Sequence, residues 1–155
     1  MGSGTTLVEA KLLNRNAIGV DINLQSVSIS EANLQFQCET KSKIYMRNAS
    51  ACNLNFIKDS NIDFICTHPP YANIIKYSED IEGDISLLKC EDFLKEMSFV
   101  AQESFRVLKK GKMCAVMIGD IRQCGKVVPL GFRVMDCFLQ AGFLSKEIII
   151  KGNYY

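Results

Sequence analysis

Apolar residues recur along the chain in two alternating patterns. Short runs of strand length (AIGVDI at 17–22, KIYMRN at 43–48, NIDFICTHPP at 61–70, KMCAVMIGD at 112–120 and SKEIIIKG at 145–152) are separated by stretches whose apolar positions lie three and four apart. LVEAKLLN at 7–14, residues 23–38, the stripe Leu94, Met97, Ala101, Phe105 and Leu108, and PLGFRVMDCFLQAG at 129–142 predict helices. Gly111 is expected to stop the third helix and Gly142 to end the fourth. Strands and helices alternate throughout, and the strands are apolar on both faces. The pattern predicts an α/β fold, a mostly parallel sheet covered by helices on both faces and joined by right-handed crossovers. With 155 residues, 48% of them hydrophobic, and no repeat or low-complexity linker, one domain over residues 1–155 is expected.

Charge adds a restriction. Eighteen basic and 17 acidic residues leave a net charge of +1 and a pI near 7.5, so no global field draws the chain to nucleic acid or to an acidic membrane. Any contact with a polyanion must be local, and the clusters KSK at 41–43 and LKKGK at 108–112 read either as phosphate contacts or as solvated surface. Seven cysteines, an odd number without a C-x-x-C pair, argue against zinc and against a disulfide framework, so no metal is expected. Free thiols at this density suit a reducing cytoplasm. Apolar runs such as MCAVMIG are too short to span a bilayer, and no membrane partner is expected.

Four stretches carry candidate chemistry. GSGTT, Gly2 to Thr6, is a glycine-rich turn opening a helix, where backbone can approach a ligand and free N–H groups can meet a carboxylate or phosphate. It is neither a G-x-G-x-x-G nor a P-loop, and a plain structural turn would read the same way. Asp21 ends a strand 17 positions after Gly4, the place from which an acid binds ribose hydroxyls in doubly wound folds; Asp is also a favoured helix N-cap. THPPY, Thr67 to Tyr71, closes the strand NIDFIC with two rigid prolines and a flat aromatic, either a ligand loop beyond a strand's carboxyl end or a stiff turn with a solvated His68. Asn48, in RNAS, is placed to face a purine edge or to serve as a turn residue.

Taken together, MGSGTT, GVDIN and THPPY closely resemble the S-adenosylmethionine-dependent DNA amino-methyltransferases, which methylate N4 of cytosine or N6 of adenine. That family writes its glycine motif Asp-Pro-Phe-x-Gly-Ser-Gly-Thr-Thr and its catalytic loop as Ser, Thr or Asp followed by Pro-Pro-Tyr. The match runs in register from residue 1 to about residue 120. The resemblance implies a Rossmann-like methyltransferase fold and S-adenosylmethionine as cofactor. Gly2, Ser3, Gly4, Thr5 and Thr6 would hold its methionine part, Asp21 its ribose and Asn48 or its neighbours its adenine, with Thr67, at the entrance to the catalytic loop, also contacting the cofactor. His68, Pro69, Pro70 and Tyr71 would receive a base swung out of duplex DNA. Their task is to localise the lone pair of an amine otherwise delocalised into the ring.

Two departures shape the expectation. His68 stands where the family has Ser, Thr or Asp, which leaves the choice between cytosine and adenine open. The Asp-Pro-Phe residues and the strand before them, central in the family's sheet between the strands ending at Asp21 and His68, have no counterpart. The chain closes at GNYY without a recognisable target-recognition segment. A partial catalytic domain is therefore expected, with a second subunit or a further segment supplying the first strand and target recognition. RNA amino-methylation, or a non-catalytic remnant that keeps cofactor binding or assembly alone, are the competing readings.

Overall fold

The structure is a computed structural model that describes residues 1–71 and 81–152; residues 72–80 and the 153–155 end of the GNYY tail lie outside it. The glycine turn leads into helix α1 (Thr5–Leu12), followed by strand β1 (Ala17–Asp21), helix α2 (Leu24–Asn33) and strand β2 (Ile44–Asn48). Strand β3 (Ile62–Thr67) comes next, then a single 3-10 turn (Ile85–Leu87), the long helix α3 (Cys90–Val107) and strand β4 (Leu108–Val116). A hairpin of β5 (Ile121–Gln123) and β6 (Lys126–Val128) precedes helix α4 (Leu130–Gln140).

The strands form parallel pairs. β1 runs beside β2 from Ala17 opposite Ile44 to Asp21 opposite Asn48. β3 runs beside β4, with Ile62 opposite Leu108 and then Phe64 opposite Met113 through Thr67 opposite Val116. Among the described residues no ladder joins β1 to β3, so the sheet is split into two parallel pairs. The halves meet instead through side chains: Val20 of β1 and Ile62 and Ile65 of β3 pack on one cluster of Leu54, Ile57 and Val107.

The larger core lies between α3, α4 and the β3–β4 pair. Phe93, Met97, Leu130 and Val134 are fully buried there, each worth about 1.5–3 kcal/mol of transfer free energy. A charged clamp then ties the loop after β2 to α3. Arg106 reaches Glu103 Oε1 at 2.7 Å, Asp59 at 2.6 Å and the carbonyls of Leu54 and Ile57 at 2.9 Å, while the Leu54 amide donates to Glu103 Oε2 at 2.6 Å.

Several expectations are corrected. α2 stops at Asn33 rather than near 38, because the Lys11 ammonium takes the Leu34 and Phe36 carbonyls at 2.7 Å and draws the chain out of the helix. α3 ends at Val107, before Gly111: Leu108 is buried as the first strand residue, opposite Ile62. Gly111, at φ 75°, instead sits where β4 swings out and its register against β3 jumps. SKEIIIKG forms no strand; Ile149 is 84% and Ile150 90% exposed, since a β-branched run becomes a strand only when it pairs with a neighbour. Among the described residues the two faces of the second pair are covered unequally. Cys114 and Val116 pack on the α3–α4 core, whereas Phe64, Met113 and Met117 on the other side are about half exposed.

Candidate functional site

The glycine turn is built by backbone geometry that only glycine adopts cheaply. Gly2 and Gly4 hold φ of 57° and 79°, and Gly4 is buried so closely against α2 that an added β-carbon would lie 2.7 Å from Ser30 Cβ and Oγ. Ser30, itself fully buried, donates to the Gly2 carbonyl at 3.1 Å, and Asn33 donates to the Ser3 carbonyl at 2.9 Å. Ser3 and Thr5 exchange a side-chain hydrogen bond at 3.2 Å. Thr5 and Thr6 are exposed at the start of α1, where first-turn amides have no carbonyl partner inside the helix. The turn is thus pinned from behind by α2 while its amide side faces outward.

Asp21 lies at the carboxyl end of β1, directly beside this turn. Its carboxylate accepts from the Met1 amino group at 2.8 Å, the Gly2 amide at 3.2 Å and the Asn23 amide at 2.9 Å. It does not cap α2: that role belongs to Asn23, whose side chain accepts from the Gln25 amide at 2.9 Å. Asn48 is placed across from Asp21 but spends its amide N–H groups on the Asp21 and Ile22 carbonyls, at 3.0 and 2.8 Å, stitching β2 to the loop after β1. Its side-chain oxygen is the part left to face a ligand.

The second half of the site follows β3. The Thr67 carbonyl accepts from the Met117 amide at 2.9 Å, which fixes the exit of the strand. Beyond it His68 is exposed, Pro69 buried and Pro70 half-buried, and the two prolines hold the loop stiff without N–H donors. Tyr71 turns back so that His68 Nε2 lies 3.4 Å from its hydroxyl and the two rings meet edge to face at 5.8 Å. A β-carbon on Gly119 would come within 3.3 Å of the Tyr71 ring and hydroxyl, so the glycine after β4 is what lets the tyrosine sit there.

Both loops stand at the same end of the split sheet. Ile22, just past Asp21, packs its Cδ1 3.1 Å from where a β-carbon on Gly83 would be, and the Ile85 turn that follows shares a core cluster with Tyr71. The structure therefore gathers Gly2 to Thr6, Asp21 and Asn48 into one group and Thr67 to Tyr71 into another. Among the described residues no hydrogen bond joins the two groups. A cavity of about 240 Å³ lies elsewhere, between α1, α2 and β2, lined by residues such as Lys11, Leu34 and Met46. The basic cluster after α3 is also remote: Lys109 and Lys112 pair with Asp63, at the opposite end of β3 from His68, at 2.9 and 3.4 Å.

Ser30 and Gly119 were not legible as site residues in the sequence, since each acts through a partner distant in the chain, Gly2 and Tyr71 respectively; Asn23, bonded only to Asp21 and Gln25 nearby, was not singled out either. The hairpin β5–β6 was missed as well. Its local signal is the Cys-Gly pair, with φ of 51° and 76° at Cys124 and Gly125, flanked by the three-residue segments IRQ and KVV.

A family model described as DNA methylase matches residues 1–32, the segment holding the glycine turn and Asp21. No curated protein matches the chain. Among solved structures, a S-adenosylmethionine-dependent methyltransferase from Methanosarcina mazei superposes with a TM-score of 0.56 at 24% identity, covering 74% of this chain and 47% of that one. The chain thus spans about half the length of that structure. The fold is a Rossmann-like methyltransferase fold of the α/β class.

Proposed function

We propose that this chain is the cofactor- and base-binding part of an S-adenosylmethionine-dependent methyltransferase acting on the exocyclic amine of a DNA base. The observation that carries the reading is the shared placement of two loops: a glycine turn hydrogen-bonded to Asp21 after β1, and His68-Pro-Pro-Tyr after β3. Ligands of open α/β sheets bind beyond the carboxyl ends of strands, where both loops lie. The DNA methylase match over residues 1–32 supports the first loop and leaves the second to its geometry.

The residues fit the cofactor. Outward first-turn amides of α1 suit its carboxylate, and Asp21, with three of roughly four lone-pair sites occupied, accepts ribose hydroxyls by taking the remaining site or exchanging the Met1 amine. The cofactor supplies an electrophilic methyl on sulfonium sulfur. The chain's own residues prepare the amine: neutral His68 accepts one N–H through Nε2, the Pro69 carbonyl accepts the other, and Tyr71 stacks on the extruded base. Accepting both N–H bonds localises the nitrogen lone pair, and His68 is positioned to take the proton released on transfer.

The reading includes a partner strand. Ala17 and Asp21 bond to β2, so the N–H and C=O groups of Ile18 and Val20 face the split. By the same alternation Thr67 bonds to β4, and Phe64 and Cys66 face the split from β3. An extended strand from a second subunit or a further segment satisfies both edges and brings target recognition with it.

Calorimetric titration with S-adenosylmethionine, with Asp21→Ala as control, tests the proposal. Binding that the variant loses, followed by tritium transfer to DNA, supports it. A non-catalytic remnant is the competing reading. That reading expects no methyl transfer even with a partner supplied, and preferential methylation of tRNA would move the substrate to RNA.

A further inference from the structure

Downstream of the proposed site, residues 121–128 form a feature that neither the cofactor nor the base requires. The β5–β6 hairpin is rooted in the core by Ile121, which is buried, and by Val128, which packs on the same cluster. Asp120, just before β5, accepts from the Gly131 amide at 3.1 Å and fixes the base of the ribbon against the start of α4. The root is also next to the candidate base pocket, because Gly119 touches Tyr71. From there to the Cys124–Gly125 turn the ribbon is exposed, and it carries Arg122, Gln123 and Lys126.

Several cations beside the core are paired with acids. Arg106 is matched by Glu103 and Asp59, Arg133 by Glu91, and Lys109 and Lys112 by Asp63. Among the described residues Arg122 and Lys126 meet no carboxylate, and the one acid at the ribbon's root, Asp120, is directed at Gly131 instead. Arg122 stands opposite Val127 and Gln123 opposite Lys126, so the two cations project from opposite faces of the hairpin. A rigid two-stranded ribbon is a shape that a DNA groove admits, and cations on both its faces can reach the phosphates on either side.

We propose that the β5–β6 hairpin grips duplex DNA beside the extruded base, with Arg122 and Lys126 on backbone phosphates. This rests on the methyltransferase reading for the identity of the substrate. It supplies locally the positive charge that a net charge of +1 does not supply globally.

The test is fluorescence anisotropy with a labelled DNA duplex, without cofactor, over a series of salt concentrations. Arg122→Ala/Lys126→Ala is compared with Lys109→Ala/Lys112→Ala, which lies at the other end of the sheet. The hairpin variant is expected to keep wild-type circular dichroism and cofactor binding while its log–log salt slope becomes shallower by about 2, roughly 1 per phosphate contact. The control pair is expected to keep the wild-type slope. An unchanged slope in the hairpin variant, an equal change in the control, absence of salt-dependent binding by the wild-type chain, or tighter binding of a double-stranded RNA of equal length each overturns the assignment. Methyl transfer is read separately: a chain that shows the slope change but transfers no methyl group leaves the hairpin's role standing.

Discussion

Replacing Gly4 by Ala separates two reasons for a glycine in the turn, its dihedral angle and its closeness to α2. At φ 79° an L-residue costs about 1–2 kcal/mol. The new β-carbon would also stand 2.7 Å from Ser30 Cβ and Oγ and 3.1 Å from Ser30 Cα, a backbone atom that cannot swing away. Overpacking of this kind adds about 1–3 kcal/mol, for a total of about 2–5 kcal/mol. Gly2→Ala is the internal control: its φ of 57° carries the dihedral cost, but nothing lies within 4 Å of its added β-carbon. Gly4→Ala should therefore lose about 1–3 kcal/mol more than Gly2→Ala in urea unfolding, or about 2–12 °C more in Tm for a chain of this size. Ser30→Gly should recover the steric part when combined with Gly4→Ala, giving a coupling of about 1–3 kcal/mol. Ser30→Ala, which keeps the β-carbon, should recover less. Equal losses in the two glycine variants, or zero coupling with Ser30→Gly, would refute the packing account and leave only ligand approach to explain Gly4.

Other outcomes follow from the same structure. His68→Ala should leave S-adenosylmethionine binding intact in calorimetry and abolish tritium transfer to mixed DNA; undiminished transfer removes His68 from the chemistry. Tyr71→Ala should weaken DNA binding by about 1–3 kcal/mol through lost base stacking while Tyr71→Phe retains it, and equal affinity in all three proteins argues against stacking. The hydrogen bond from Arg106, seconded by the Leu54 amide, holds the Glu103 carboxyl below its ordinary 4.5. Its stabilising share is complete above that value and is lost as pH falls through the lowered folded one, so Glu103→Gln should flatten the acid limb of urea stability below pH 4.5. Burial, aided by nearby Cys66, pushes the Cys114 thiol up to about 12, so iodoacetamide at pH 8 should label exposed Cys124 well before Cys114; the reverse order would show that β4 opens readily.

The sequence by itself determined whatever depends on neighbours within a turn or two of the chain. Alternating and 3.6-residue periods placed β1, β2, β3, α3 and α4 closely, and glycines at positive φ marked the turn before α1. The motif residues also lie where strand ends put them, Asp21 at the end of β1 and His68 just past β3. Tertiary structure decided everything that depends on a distant partner. Ile148 to Ile150 have the composition of a strand and form none, because a strand's hydrogen bonds are made with a neighbour and this segment pairs with none. Leu108 fits a helical stripe yet begins β4, because pairing with Ile62 outweighs one more helical turn. By residue type Asp21 is a favoured cap, but the approach of the glycine turn takes its carboxylate, and Asn23 caps α2 instead. Helical and strand periods are written locally by side-chain geometry, whereas strand pairing, burial and charge matching are properties of residues that meet only once the chain has folded.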